Sequence, residues 1–319
     1  MKNFSDILLL LLVLVLPIGI GYFIRFTRLF SDNETDILRK FVIRICVPFL
    51  IFKNLYKTGS SILNQILPTV FAFTLLCILY TGAAYLLSHI VSREKTHRST
   101  YAFAVSMGNY MFLGWGVILS FYGEAAFTRS VFFTIFFWPV FLIVGFWMVH
   151  LLGATDRKHS FFTIMLNNGG AAFVAAILGI VMNKFGIIVP GIVDNLVNKF
   201  ADFTIPMILL VIGLNFKLIM PKDNFKIVLA ASLTRLIGGF ALGLATLFIT
   251  RFLFSPDVLT ERVILIESVM PTAAMTVFFI DYTEMDKELL SGIITFSTLI
   301  SLITIPFWYY VIEKIFPAL

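Results

Sequence analysis

The chain has 319 residues, of which 59% are hydrophobic and 13% charged, with a formal net charge of +6. A soluble globular chain carries roughly 25% charged residues, so the composition excludes an ordinary soluble protein and predicts a membrane protein. We attribute the positive charge to membrane topology and expect no nucleic-acid partner.

Windows of about 20 apolar residues predict an all-α polytopic membrane protein with ten transmembrane helices and short loops. The odd-numbered loops hold more Lys and Arg residues than the even-numbered loops. Because loops rich in Lys and Arg stay on the cytoplasmic side, we expect a multi-pass protein of the cell membrane with both termini outside. The predicted spans are residues 6–24, 37–56, 65–88, 99–121, 130–152, 161–183, 194–216, 226–250, 261–280 and 289–312.

A single polar segment near the middle, GATDRKHS at 153–160, divides the chain. It leaves five predicted spans on each side. Because five is odd, equivalent spans of the two halves run in opposite directions, which is the layout of an inverted repeat. We therefore predict two inverted five-helix repeats, 1–152 and 161–319, joined by a cytoplasmic linker.

Spans 2 and 7 match each other weakly and support the repeat. Each has a proline near its middle, Pro48 or Pro206, and an ionisable residue four positions earlier, Arg44 or Asp202. Proline removes a helical hydrogen bond, so both prolines are candidate hinges. The opposite charges are expected to form a structural ion pair; the alternative is that one of them contacts a charged substrate.

Span 4 is interrupted by glycines. The stretch SMGNYMFLGWG, from Ser106 to Gly116, also contains Asn109 and Gly114. Glycine disfavours the interior of a helix, and close packing alone does not explain an asparagine between Gly108 and a tyrosine. We predict a discontinuous helix with hinges at Gly114 and Gly116.

Span 9 contains the stretch ILIESVMPTAAMTVFF at 264–279, which combines Glu267 with Pro271. Pro271 has no N–H, so the carbonyl of Glu267 is expected to lose its helical donor. Free backbone groups and carboxylates within a membrane face protein or a wet cavity. This pattern predicts half of a binding site; the alternative is a kinked helix whose carboxylate is neutralised by an arginine.

Interruptions in corresponding spans of two repeats are typical of a transporter site at the repeat interface. The N-terminus of a half-helix suits a carboxylate. We therefore expect a substrate between the two broken spans. The candidate substrate-binding residues are Gly108, Asn109, Tyr110, Pro271, Thr272 and Arg235.

Further polar residues lie inside spans 5 and 8. Arg235 is expected to need a partner at its depth in the membrane, and the candidates are Glu267, Asp202 or an anionic substrate. Ser130 and Thr134 are four residues apart and therefore share a helix face. The alternative for these hydroxyls is a hydrogen bond to the carbonyl four residues earlier.

Several segments together resemble the auxin efflux carrier family. The resemblance implies a fold shared with the bile-acid sodium symporters, in which broken spans 4 and 9 cross. It also implies that spans 1, 2, 6 and 7 form a dimerising scaffold, and that the other spans move like an elevator to carry a small organic anion, such as auxin or a dicarboxylate. The segments are LRKFVIRICVPFLIFKNL at 38–55, MGNYMFLGWG at 107–116, FADFTIPMILLVIGLNF at 200–216, MPTAAMTVFF at 270–279 and SGIITFSTLISLITIPFW at 291–308.

The resemblance also implies where a coupling ion would bind. Bile-acid symporters hold sodium with residues similar in kind and place to Asn109, Ser130, Thr134 and Glu267. The alternative is that Glu267 takes up a proton. One departure is that the family's fourth span usually has a proline where this chain has Gly116, which weakens the symmetry with Pro271.

The combined prediction is a secondary carrier of a small organic anion, embedded in the lipid bilayer as a homodimer, with Na⁺ or H⁺ as a coupling ion. The alternatives are a sodium-independent uniporter, a proton-coupled exporter, or a channel or receptor. No motif of a hydrolase, metalloenzyme or nucleotide-binding protein is present, so we expect neither an enzyme nor a bound cofactor.

Overall fold

The computed structural model describes residues 4–152, 161–216, 223–276 and 285–316. These residues form fifteen α-helices, three π-helical segments and no strand, which confirms the predicted all-α class. The predicted linker, 153–160, lies outside the described residues, as does the end of predicted span 9, 277–280.

The helices are named in chain order. They are α1 (Phe4–Phe26), α2 (Asp32–Phe41), α3 (Val47–Tyr56), α4 (Ser60–Leu63), α5 (Ile66–Val91), α6 (Lys95–Ser106), α7 (Trp115–Tyr122), α8 (Glu124–Phe133), α9 (Phe137–Leu152), α10 (Phe161–Lys184), α11 (Gly191–Asn215), α12 (Phe225–Leu233), α13 (Gly239–Leu253), α14 (Val258–Ser268) and α15 (Lys287–Ile315). The π-helical segments are Val42–Cys46, Tyr110–Gly114 and Thr234–Gly238.

Four helical stretches are long and apolar enough to cross a membrane: α5, α11, α15 and the continuous stretch Phe225–Leu253. The pair α8 and α9 adds a fifth if it counts as one span bent by 41°. The described residues therefore define a helical protein with four or five membrane-capable helices. The arrangement of ten spans in two repeats stays a prediction.

The helices pack in two groups. In the first group, α1 lies along α11, and α3 packs against both α10 and α11. In the second group, α5 contacts α6, α8 and α13, while α14 contacts α8 and α13, and α12 lies against α15. The second group surrounds a buried aromatic cluster in which Phe73, Tyr110 and Phe133 meet edge to face.

The two predicted proline hinges lie in helices that continue through them. Pro206 lies inside α11, which runs unbroken from Gly191 to Asn215. Pro48 lies in the first turn of α3, where a missing N–H is tolerated, directly after the π-helical segment Val42–Cys46. Neither proline therefore separates two helical pieces.

The predicted ion pair between Arg44 and Asp202 is wrong. Asp202 instead forms an ion pair with Lys53, at 2.5 Å. Lys53 lies about two and a half helical turns after Arg44, and its side chain reaches Asp202 across the contact between α3 and α11. The spacing of Arg44 and Asp202 relative to their prolines carried no information about side-chain direction, and both residues are exposed.

Helix α14 begins with an aspartate cap. The carboxylate of Asp257 accepts a hydrogen bond from the Thr260 N–H at 2.8 Å and pairs with Arg129 of α8, whose Nε lies 2.9 Å from Oδ1. Burial opposes ionisation of the Asp257 carboxyl, but the hydrogen bonds from Arg129 and Thr260 outweigh it, so its pKa lies below the usual value. The cap ties the start of α14 to α8.

We expect Asp257→Ala to lower the melting temperature more than Asp257→Asn does, because asparagine keeps the cap and alanine loses about 1 kcal/mol with it. A lowered folded-state pKa means that the stabilisation is complete above the unfolded pKa near 4 and is lost as the pH falls through the lower folded value. Melting curves of the purified protein across acidic pH would check this. An Asp257→Asn protein with the full acid sensitivity of the wild type would contradict it.

Candidate functional site

Two helices end deep in the protein and their ends pair with each other. Helix α6 ends at Ser106 and helix α14 at Ser268. The segments that follow form an antiparallel bridge between Gly108 and Thr272. The Asn109 N–H donates to the Pro271 carbonyl at 2.8 Å, and the Ala273 N–H donates to the Met107 carbonyl at 2.9 Å. We call residues 107–109 and 269–273 the paired breaks.

Thr272 is held at the centre of the paired breaks. It is fully buried. Its hydroxyl donates to the Ala104 carbonyl at 3.0 Å, and its N–H donates to the Ser297 hydroxyl at 3.3 Å. The segment that follows α14 is therefore hydrogen-bonded both to α6 and to α15.

The first break lies upstream of the predicted hinges at Gly114 and Gly116. Gly114 closes the π-helical segment that follows Asn109, and Gly116 lies inside α7. A side chain at Gly116 would meet Leu14 and Leu209, so this glycine serves helix packing. The helix breaks where Asn109 finds a backbone partner in the other chain segment, and glycine content alone did not locate that point.

The sequence analysis expected the Glu267 carbonyl to lose its helical donor, but in the structure this carbonyl keeps a donor within the helix. Met270 N–H donates to the Glu267 carbonyl at 3.2 Å in a tightened last turn. The carbonyls that find partners outside the helix are those of Ser268 and Met270. The Tyr80 hydroxyl lies 2.6 Å from the Ser268 carbonyl, and Arg235 Nη2 donates to the Met270 carbonyl at 2.7 Å.

Arg235 is fully buried beside the paired breaks. In addition to the Met270 contact, its Nη1 donates to the Val105 carbonyl at 3.2 Å, and its guanidinium carbon lies 3.9 Å from the centre of the Tyr80 ring. Among the described residues no carboxylate lies within ion-pair distance of Arg235, so it makes no direct ion pair with Glu267 or Asp202, although its charge attracts the Glu267 carboxylate at longer range. Backbone carbonyls and an aromatic face stabilise this charge instead.

Glu267 lies at the last turn of α14 and is fully buried. Its Oε1 accepts a hydrogen bond from the Ser130 hydroxyl at 2.5 Å, while its Oε2 has no partner among the described residues. A Cβ placed at Gly114 would collide with this carboxylate. Gly114 thus leaves the space into which the carboxylate fits.

Asn109 lies at the other side of the same π-helical segment. Its carbonyl accepts from the Gly114 N–H at 2.9 Å, and its side chain is 2% exposed. The side-chain Nδ2 has no hydrogen-bond partner among the described residues. The site therefore holds one unpaired buried donor, on Asn109, and one unpaired buried acceptor, on Glu267.

The hydroxyls of Ser130 and Thr134, which were predicted to act together, have different hydrogen-bond partners. Ser130 contacts Glu267, as described. Thr134 follows the end of α8, where its hydroxyl donates to the Ser130 carbonyl at 2.9 Å and lies 3.1 Å from Trp115 Nε1. Thr134 therefore bonds back to the carbonyl four residues earlier and makes no hydrogen bond to Glu267 among the described contacts.

A cavity of about 120 Å³ opens beside the paired breaks. Phe112 of the π-helical segment and Met275, just after the second break, form its apolar wall. Arg39 and Lys287 bring positive charge to it. The remaining lining residues are Val211, Ile212, Asn215, Ala274, Ser291, Ile294 and Thr295.

Tyr80 and Ser297 belong to the site although the sequence analysis did not single them out. Both are polar residues within long apolar helices, α5 and α15, and this was the only available signal. Tyr80 reaches Ser268 across 188 positions of sequence, a distance that no local spacing rule covers. Among the described residues, no group of three His, Cys, Asp or Glu residues could hold a metal ion.

A comparison with known protein families identifies the class of protein to which the chain belongs. A family model described as membrane transport protein matches residues 6–160 and 163–309. The chain therefore belongs to this membrane transport protein family, the auxin efflux carrier family, which confirms the resemblance noted in the sequence.

Two archaeal relatives are similar along nearly their whole length. An uncharacterized transporter of Methanocaldococcus jannaschii is 29% identical over 314 residues, which covers 96% of this chain and 98% of the relative. An uncharacterized transporter of Methanothermobacter thermautotrophicus is 23% identical over 316 residues, covering 97% and 98%.

The packing of Glu267 against Gly114 can be tested directly. We expect Gly114→Ala to destabilise the protein by about 1–3 kcal/mol, because the added methyl group must displace a buried carboxylate. Gly82→Ala in α5 is the matched control, since nothing lies within 4 Å of a Cβ placed there. Thermal unfolding of both purified variants measures the difference. Equal melting temperatures for the two variants would contradict the described packing.

Proposed function

We propose that this protein is a secondary active carrier of a small organic anion, with ten spans in two inverted five-helix repeats. The observation that carries the proposal is the paired breaks, because irregular backbone at membrane depth is tolerated where it lines a binding site. Family membership supports transport, and the site geometry supports an anionic substrate.

Asn109 is the proposed first contact of the substrate. Its Nδ2 is a buried donor with no partner among the described residues, and leaving such a donor unpaired costs about 1–3 kcal/mol. A substrate carboxylate would accept this hydrogen bond and remove the cost. Gly108, Tyr110, Pro271 and Thr272 then act through the backbone geometry that holds Asn109 in place.

The cavity beside the paired breaks favours an acid with more than one negative charge. It has a volume of about 120 Å³, and its lining residues adjoin the breaks without belonging to them. Two basic side chains, Arg39 and Lys287, line the same cavity. We therefore favour a small dicarboxylate over an auxin-like substrate.

Glu267 is the proposed site of the coupling ion. Its Oε2 is an acceptor with no partner in the part of the chain that the structure describes, so a proton on this oxygen or a sodium ion beside it would satisfy the carboxyl group. Ser130 supports either ion by holding Oε1. Thr134 contributes only if its hydroxyl leaves the Ser130 carbonyl, which makes the sodium site less complete than the family resemblance implied.

The two groups of helices suggest how access alternates. The first group, with α1, α3, α10 and α11, would be the scaffold and the dimer interface, and the second group would carry the paired breaks across the membrane. A second cavity of about 330 Å³ lies between the groups, lined by Leu14 and Leu209 on one side and Phe127 on the other. Elevator-like sliding needs such a loosely packed boundary between the two groups.

Both termini would lie outside the cell.

The coupling role of Glu267 is tested by thermal stability with a panel of small mono- and dicarboxylates, each with sodium or with choline. A ligand present at about 100 times its Kd stabilises the native state by about 2.7 kcal/mol. We expect a dicarboxylate to raise the melting temperature, with a further sodium or pH dependence that Glu267→Gln abolishes.

The matched control is Glu261→Gln, which changes a partly buried carboxylate on the same helix that pairs with Arg251. It should keep the wild-type response. If Glu267→Gln keeps the sodium or pH dependence, Glu267 is not the coupling site. If no carboxylate stabilises the wild type, the proposed substrate class is wrong.

A further inference from the structure

Among the backbone carbonyls that lack helical donors at the paired breaks are those of Val105, in α6, and Met270, just after α14. In an unbroken helix the Val105 carbonyl would accept from Asn109 N–H, but Asn109 N–H donates to Pro271 instead. The Met270 carbonyl loses its donor in the same way, because the chain leaves the helix at Ser268. Carbonyls freed in this way in membrane carriers are sites for a bound cation.

Both of these carbonyls accept hydrogen bonds from one guanidinium. Arg235 Nε and Nη2 lie 3.0 and 2.7 Å from the Met270 carbonyl, and Nη1 lies 3.2 Å from the Val105 carbonyl. The Tyr80 ring covers one face of the guanidinium. Arginine stays charged even when buried, so a permanent positive charge sits on the two freed carbonyls.

The surrounding chain is shaped to hold this side chain. Arg235 lies in the π-helical segment Thr234–Gly238, and π-helical turns free carbonyls of their own helix. Tyr80 and Trp308 donate to two of these, the carbonyls of Arg235 and Leu236, at 3.0 and 2.6 Å. A Cβ at Gly108 would collide with Arg235 Nη2, so Gly108 leaves room for the guanidinium.

We propose that Arg235 is a resident cation of the paired breaks, which takes the place of a bound alkali ion on the Val105 and Met270 carbonyls. It is a positioning residue and not a contact of the substrate. The breaks then keep their shape without an ion. In terms of the carrier function proposed above, on which this consequence rests, Glu267 is left as the one site for a coupling ion among the described residues of the breaks.

The test compares the purified wild type with Arg235→Ala by thermal unfolding, with and without methylguanidinium at concentrations far below those that denature proteins. We expect a lower melting temperature for Arg235→Ala and a saturable recovery on adding methylguanidinium, with no effect on the wild type. No substrate is needed, so the result is independent of the carrier function. An unchanged melting temperature, or a loss that methylguanidinium does not reverse, would overturn the proposal.

The matched control is Arg262→Ala, which removes another buried arginine whose partner is the Glu313 carboxylate. Equal recovery of both variants by methylguanidinium would show a generic effect and overturn the assignment. If Arg235→Ala does not fold, the melting temperatures of Arg235→Lys and Arg235→Gln are compared instead. A resident cation predicts a higher melting temperature for lysine, which keeps the charge, and equal values would contradict it.

The same variants separate positioning from substrate contact. If Arg235→Gln keeps the wild-type melting temperature but loses stabilisation by carboxylates, Arg235 contacts the substrate and the proposal fails. If carboxylates stabilise the wild type while every Arg235 variant melts like the wild type, the carrier function stands and the resident cation does not. The two proposals therefore fail in distinguishable ways.

Discussion

A helix that ends in the interior of a protein leaves amide and carbonyl groups that need other hydrogen-bond partners. Here the breaks after Ser106 and Ser268 supply partners to each other, through two hydrogen bonds between residues 107–109 and 271–273. Further freed carbonyls, on Val105, Ser268 and Met270, are reached by Arg235 and Tyr80. The burial of these two polar side chains beside the breaks follows from this need.

The atoms left without partners are as informative as those that are paired. Within the described residues, one donor, Asn109 Nδ2, and one acceptor, Glu267 Oε2, remain unsatisfied at the two ends of the π-helical segment Tyr110–Gly114. A site that carries an anion together with a cation needs one group of each kind. Both atoms are buried, and Gly114 provides the room for the carboxylate.

The sequence predicted the two breaks because their causes are local: Pro271 lacks an N–H, and glycines beside Asn109 weaken a helix. It also predicted the Ser130 and Glu267 neighbourhood, through the family resemblance. It did not predict which carbonyls would be freed, that Arg235 would bind them, or that Tyr80 would take part. Those facts depend on contacts between residues far apart in the sequence, 35 positions for Arg235 and Met270 and more than 100 for the others, as does the pairing of Asp202 with Lys53 instead of Arg44.

The central claim is that the paired breaks bind an organic anion through Asn109, and counterflow in proteoliposomes tests it most directly. Uptake of a labelled dicarboxylate into vesicles preloaded with the unlabelled acid would be measured for wild type, Asn109→Ala and, as a control, Asn183→Ala in α10. The account predicts saturable uptake accelerated by internal substrate, retained in the control and lost in a folded Asn109→Ala protein. Undiminished counterflow by Asn109→Ala, or flux that neither saturates nor responds to internal substrate, would contradict it.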